Sequence, residues 1–201
     1  MVSRSRLRVV IALFLCLAGA AVSGVLLGQH YRESWATSAV KSTCGDVQIN
    51  SCEQVAQSEW SSFAGIPLAA FGLLFYFSLF LLYIIAFFAS PGLRDSLAGI
   101  ATILLAFSLL IDLSLLGVQA FAIHAYCKLC ISTYILSACS LVVLFPSCKF
   151  ARGIITAAKA PEGRIALAGW IFGTLFAIST VFGFNAALHA RDMYRQAIKL
   201  F

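Results

Sequence analysis

Four of the seven cysteines in this chain stand where they could react: Cys44 and Cys52 in a polar loop, Cys127 and Cys130 at the start of an apolar helix. The second pair reads Cys127-Lys128-Leu129-Cys130. At a helix N-terminus the dipole and the free N–H groups favour a thiolate, and a three-residue offset puts both sulfurs on one face within bonding range. Such a pair can cycle between dithiol and disulfide. Its place at the edge of an apolar run suits electron transfer between a water-side thiol partner and a lipid-soluble acceptor.

Two other uses of four cysteines stay open at this point. Zinc sites usually pair two short knuckles, whereas Cys44 and Cys52 are eight apart, so no metal is expected; a purely structural pair of disulfides is the stronger alternative. Cys16 and Cys139 fall inside apolar runs and Cys148 at the end of one. Those three are expected to be inert, because free cysteine commonly behaves as a small buried hydrophobe.

Three more side chains are candidates to serve a bound acceptor. One helical turn past Cys130 lies Tyr134, whose phenol could hydrogen-bond a ring carbonyl, or only anchor or pack the helix. Asp112 is the acid well inside an apolar run, roughly 10 Å from its end at about 1.5 Å per residue. Burying it costs several kcal/mol unless it is paired or protonated, which makes it a candidate proton relay or an interhelical bond. His124, just before the dithiol, could supply a proton, stabilise a thiolate or sit at the interface.

Elements that could position these residues follow from composition. Hydrophobic residues make up 61% of the 201 and charged residues only 11%, well under the roughly 25% of soluble domains, so this is a membrane protein. Five runs approach or exceed the roughly 20 residues a helix needs to span about 30 Å of hydrocarbon. They lie near residues 8–28, 65–89, 96–118, 126–146 and 165–188. The fold class is therefore an all-α membrane protein, a four-helix bundle plus a fifth transmembrane helix.

The net charge of +6 forms no continuous stripe, which argues against nucleic acid as a partner. Arg4, Arg6 and Arg8 precede the first run, Arg94 lies in an expected tight turn Ser90-Pro91-Gly92-Leu93-Arg94-Asp95, and Lys149, Arg152, Lys159 and Arg164 follow the fourth. All fall on one side if the N-terminus is cytoplasmic. Arg191, Arg195 and Lys199 in the tail would then lie outside, against that rule, where they could meet anionic lipid headgroups. The first run, longer than the usual signal-peptide core of about 7–15 residues, is read as a retained span.

Residues 1–146 thus form the bundle with its outer loop 29–64, 147–164 a cytoplasmic basic loop, 165–188 the fifth span and 189–201 a short tail. Within the outer loop the pattern predicts short helices near 32–42 and from Ser51 toward Ser58, separated by an irregular stretch at Cys44-Gly45-Asp46. Gly65-Ile66-Pro67 opens the second span, with proline suited to a first helical turn. By this topology the four candidate cysteines lie on the outer, oxidising side, where disulfides persist.

The order of parts, from the Cys44/Cys52 loop through Ser58, Gly65-Ile66-Pro67 and Cys127-Lys128-Leu129-Cys130 to Tyr134, resembles the vitamin K epoxide reductase family over about residues 8–146, especially bacterial homologues that generate disulfides. The resemblance implies a four-helix bundle around a quinone near the outer face. It further implies that Cys130 faces the quinone, that Cys127 exchanges with Cys52, and that Cys52 pairs with Cys44, which meets an external redox partner. Ser58 would match a loop serine or threonine that helps hold the loop over the site, and Tyr134 a tyrosine lining the quinone pocket.

Electrons would run from a reduced thioredoxin-like protein to Cys44 and Cys52, on to Cys127 and Cys130, and into a membrane quinone of the ubiquinone, menaquinone or vitamin K type, each handover passing through a mixed disulfide. Many bacterial members of that family continue into a fused thioredoxin-like domain, whereas the tail here is short. A separate periplasmic thioredoxin-like partner is therefore expected, with the chain in a bacterial inner membrane and its active site on the periplasmic side. Two alternatives remain: a reductase of vitamin K epoxide or quinone in the endoplasmic reticulum, and a non-enzymatic membrane protein braced by structural disulfides.

Overall fold

The computed structural model describes residues 4–31, 36, 39, 51–63, 65–145 and 161–199, by backbone alone at 4, 51 and 184–199. The helices are α1 (Arg4–His30), a short α2 (Ser51–Gln57), α3 (Leu68–Phe88), α4 (Pro91–Val118), α5 (Lys128–Leu144) and α6 (Pro161–Lys199). α1, α3, α4 with its extension to Ile123, and α6 are each long and apolar enough to cross a membrane. α5 has 17 residues, a rise of about 25 Å at about 1.5 Å per residue. It begins at Lys128, so Cys127 stands outside the span, at its mouth. The expected helix from Ser51 is present as α2, while the one near 32–42 falls largely outside the described residues.

α1 packs against α3 and α5, and α4 against α3 and α5. Their common core is built from Val9, Ala12 and Cys16 of α1, Leu79, Leu82, Tyr83 and Ala86 of α3, Leu97, Ala98, Ala101 and Leu105 of α4, and Leu144 of α5. The α3 and α4 positions recur at three- and four-residue spacing, which places them on one face of each helix. Small residues recur among them because lipid supplies no hydrophobic drive between helices, and close backbone approach must supply packing instead. This tight core occupies the half of the bundle that holds the start of α1, the α3–α4 junction and the end of α5. The opposite half is where the helices part.

Expectations at three helix ends are corrected. The tight turn expected over Ser90 to Asp95 is mostly helix: Pro91 sits at the first helical position, where its fixed φ and missing N–H cost nothing, and the chain continues helically. Arg94 is thereby carried inward. It is 2% exposed, its Nε donates to the Ala86 carbonyl at 3.0 Å and its Nη2 to the Ala89 carbonyl at 2.7 Å. The guanidinium thus closes the C-terminus of α3, where unpaired carbonyls and the negative dipole end need a cation.

Pro67, expected in the first turn of a span, instead lies in a two-residue strand. Ser62–Phe63 pairs antiparallel with Ile66–Pro67, Gly65 takes the left-handed φ of 77° that the turn requires, and α3 starts at Leu68. At the other end of the chain, the segment expected to be a tail from residue 189 continues α6 as helix to Lys199. From Asn185 to Lys199 the sequence holds no glycine or proline to stop it.

α6 docks on the outer face of α3. Trp170 Nε1 donates to the Ser78 carbonyl at 2.9 Å, and the Thr174 and Ser78 hydroxyls meet at 3.2 Å. A Cβ at Gly173 would stand 2.8 Å from Leu81 Cδ1, so glycine there permits the approach.

Candidate functional site

Where the helices part, a cavity of about 470 Å³ opens, walled by α1, α2, α3, α4 and α5. Its lining is mostly apolar, with Phe71 and Phe75 from α3 and Phe107 and Ile111 from α4. Against that background a few polar groups converge: Ser58, Asp112, Gln119, Cys130 and Tyr134 all line it. Ser58, Asp112 and Tyr134 were expected on an acceptor site, and the fold brings all three to one space. His124, also expected there, is an exposed residue at the turn after the α4 extension and is not among the lining residues.

Cys127 and Cys130 are positioned by the start of α5. Cys127 is its N-cap, with φ −83° and ψ 108°, and its sulfur accepts the Cys130 N–H at 3.1 Å. The Cys130 thiol as a donor, together with the backbone N–H groups of Cys130 and Leu129, holds the Cys127 thiol below its ordinary pKa despite burial, which acts the other way. Both thiols are free. Cys127 is fully buried and Cys130 only partly so, at the cavity wall.

Cys52 on α2 is also fully buried and is disulfide-bonded. It belongs to one apolar cluster with Cys127 and Leu129, onto which Val22, Val25 and Leu26 of α1, Val55 of α2 and Cys130 pack. The bonded loop sulfur and the dithiol therefore share a single apolar cluster. Cys44, the other expected member, lies outside the described residues, as does Cys148. Cys16 is buried in the bundle core with its sulfur 3.0 Å from the Tyr76 carbonyl, and Cys139 is exposed on α5.

Gln119 is the residue that sequence reasoning missed. α4 passes into a π-helical turn, Gln119–Ile123, closed by His124 at φ 55°, whose N–H returns to the Gln119 carbonyl. A π turn swings Gln119 inward, where it is 3% exposed. The Cys127 N–H donates to its Oε1 at 2.8 Å, which fixes the amide's orientation and forces Nε2 to donate to the Tyr134 hydroxyl at 3.1 Å. Because that oxygen is already accepting, the Tyr134 proton is left to point elsewhere, and the cavity is beside it. One side chain thus sets both the start of the dithiol helix and the direction of the phenol. The available signal was an amide at the end of an otherwise apolar run.

Two further residues bind the site to the frame. His30 closes α1 with its Nδ1 3.1 Å from the Ala56 carbonyl; a carbonyl only accepts, so Nδ1 carries the proton and ties α1 to α2. Tyr76 of α3 donates to the Thr133 carbonyl at 3.0 Å and accepts from Ser137 at 3.0 Å, while the Thr133 hydroxyl donates to the Cys130 carbonyl at 2.7 Å. Its ring lies where a Cβ on Gly19 would be, so α1 needs glycine at that level. Ser58 Oγ donates to the Val55 carbonyl at 2.8 Å and ends α2, which holds the loop against the cavity.

The family model of the vitamin K epoxide reductase family matches residues 10–145, from α1 through α5 with the intervening loop, and leaves α6 outside. No curated protein matches the chain. With that match over more than half its length, and with spanning helices that surround a dithiol and an apolar cavity, the chain belongs to the vitamin K epoxide reductase family of membrane oxidoreductases.

Proposed function

We propose that this protein is a thiol:quinone oxidoreductase that makes disulfides. Electrons enter from a reduced thioredoxin-like protein at Cys44 and Cys52, pass to Cys127 and Cys130, and leave to a membrane quinone. The observation that carries this reading is the sharing of one buried cluster by Cys52 and Cys127 while Cys130 opens onto the cavity beside Tyr134. A thiolate attacks a disulfide sulfur directly, so successive sulfurs must come together, and a shared buried cluster of Cys52 and Cys127 supports that step.

A quinone suits the cavity. Its volume of about 470 Å³ lies within the roughly 300–1,000 Å³ of small-molecule pockets. Phe71, Phe75 and Phe107 offer flat apolar walls for a ring, and the Tyr134 hydroxyl, its oxygen held by Gln119, is free to donate to a ring carbonyl. When bound, the quinone supplies the two-electron, two-proton acceptor. Cys127 is the buried sulfur of the Cys127–Cys130 disulfide that Cys52 attacks and that later leaves as a thiolate, Cys130 the thiol that meets the acceptor, and Ser58 keeps α2 seated over the site.

The proposed orientation puts this site on the periplasmic side of a bacterial inner membrane, because Arg6, Arg8 and Arg94 belong to the opposite end of the bundle. The test is oxidation of a reduced thioredoxin-like protein by the purified chain with added quinone, read as quinol absorbance. Turnover is expected, lost in Cys130→Ala and kept in Cys16→Ala and Cys139→Ala. Disulfide mapping of Cys130→Ala by mass spectrometry should find Cys52 joined to Cys127; Cys44 joined to Cys127 would overturn the route.

A further inference from the structure

A dithiol that holds one sulfur as thiolate carries one proton, yet a quinone reduced by two electrons needs two. The sulfur of Cys127 accepts the Cys130 N–H at the helix start, an arrangement that favours the thiolate, the form in which its proton has already left. The missing proton must come from another acid that reaches the cavity. Asp112 is the carboxyl among the residues lining it, and no lysine or arginine joins it there. Its Oδ2 is buried without a hydrogen-bond partner among the described residues. A carboxylate in hydrocarbon costs several kcal/mol unless paired, so an unpartnered oxygen at this depth favours the neutral, proton-carrying form.

We propose that Asp112 is the proton donor to the acceptor's second carbonyl, the one turned away from Tyr134. The inference rests on the quinone-reducing reading above. The step balances: the Cys127 thiolate and the Cys130 thiol form a disulfide, giving two electrons and the Cys130 proton; Asp112 gives the second proton; the quinone leaves as quinol and Asp112 as carboxylate. Water entering from the loop side then restores the carboxyl, so each reoxidation of the dithiol takes up one proton from solution, which is given back when the pair is next reduced to thiol and thiolate. The other titratable groups facing this space are His30 from α1, Tyr76 from α3, and Cys130 and Tyr134 from α5; Cys52 of α2 also lines it but is held in a disulfide. Of these, Tyr76 is committed to Thr133 and Ser137. His30 holds its Nδ1 proton on Ala56, which makes it the competitor to be eliminated.

The test compares the full-length wild type, Asp112→Asn, Asp112→Glu and His30→Gln in lipid nanodiscs with a soluble ubiquinone analogue. Two readouts are taken: infrared difference spectra on quinone addition, and the pH dependence of Cys127–Cys130 reoxidation. The proposal expects a carboxyl C=O band that shifts when the analogue binds and is missing in Asp112→Asn. Reoxidation should slow about 100-fold in that variant, the scale of a lost general acid. The wild-type decline in rate at high pH should vanish in Asp112→Asn and return in Asp112→Glu. Thermal unfolding of Asp112→Asn within a few degrees of wild type excludes misfolding. A band indifferent to quinone, a rate in Asp112→Asn within about threefold of wild type, or loss of the pH limb in His30→Gln alone overturns the proposal. Failure of the wild type to reduce quinone at all would strike the parent reading instead.

Discussion

Gln119→Leu isolates the residue on which the site's geometry turns. The replacement has nearly the same volume and removes both polar ends, so the loss is electrostatic and not a cavity. It leaves the Cys127 N–H buried with its 2.8 Å acceptor gone, and an unsatisfied buried donor costs about 1–3 kcal/mol. It also removes the 3.1 Å bond to Tyr134, about 1 kcal/mol more. The sum is about 2–4 kcal/mol, against about 1–3 kcal/mol for Tyr134→Phe, which loses only the second bond but leaves the buried Gln119 Nε2 donor unpaired. The assay is reversible unfolding in mixed micelles followed by circular dichroism, with the double variant completing a cycle. A coupling of about 1 kcal/mol between the two positions is expected, since one bond is shared. If Gln119→Leu costs no more than Tyr134→Phe, the clamp on Cys127 carries no energy and the reasoning fails.

Gly19→Ala drives a methyl into the Tyr76 ring and should destabilise by about 1–3 kcal/mol, with weaker quinone binding as the ring is pushed toward the cavity, measured by unfolding and by ligand titration. Arg94→Met strips the Ala86 and Ala89 carbonyls of a charged donor; unfolding should be easier by about 2–4 kcal/mol while the redox reaction of the folded fraction is unchanged. The lowered Cys127 pKa makes stability pH-dependent with a definite sign: the unfolded thiol, with its ordinary value of 9.0, binds more protons than the folded one over the window between the two. The contribution is therefore fully present above that ordinary value and is lost as pH falls through the folded one. In Cys127→Ser that dependence should disappear from the unfolding curves.

Sequence alone determined the class, the apolar helices and the placing of Cys127 and Cys130 at a helix start. Run length against bilayer thickness is a local property, so α1, α3 and α4 and the start of α6 were legible to about five residues, and Cys127 and Cys130 follow from a three-residue spacing at one helix start. The α2 helix from Ser51 was legible in the same way. Helix ends were less so: Arg94 and Pro67 took places set by what lay across from them, a row of open carbonyls in one case and a strand partner in the other. Tertiary structure alone decided that Cys52 and Cys127 share a buried cluster with Val22, Val25 and Leu26, that Tyr76 reaches Thr133 and Ser137, and that Gln119 turns inward through a π turn to hold Cys127 and Tyr134. Those contacts join residues far apart in the chain or depend on a one-residue change of helical phase. No spacing rule carries them; they exist only because four helices pack tightly at one end and part at the other.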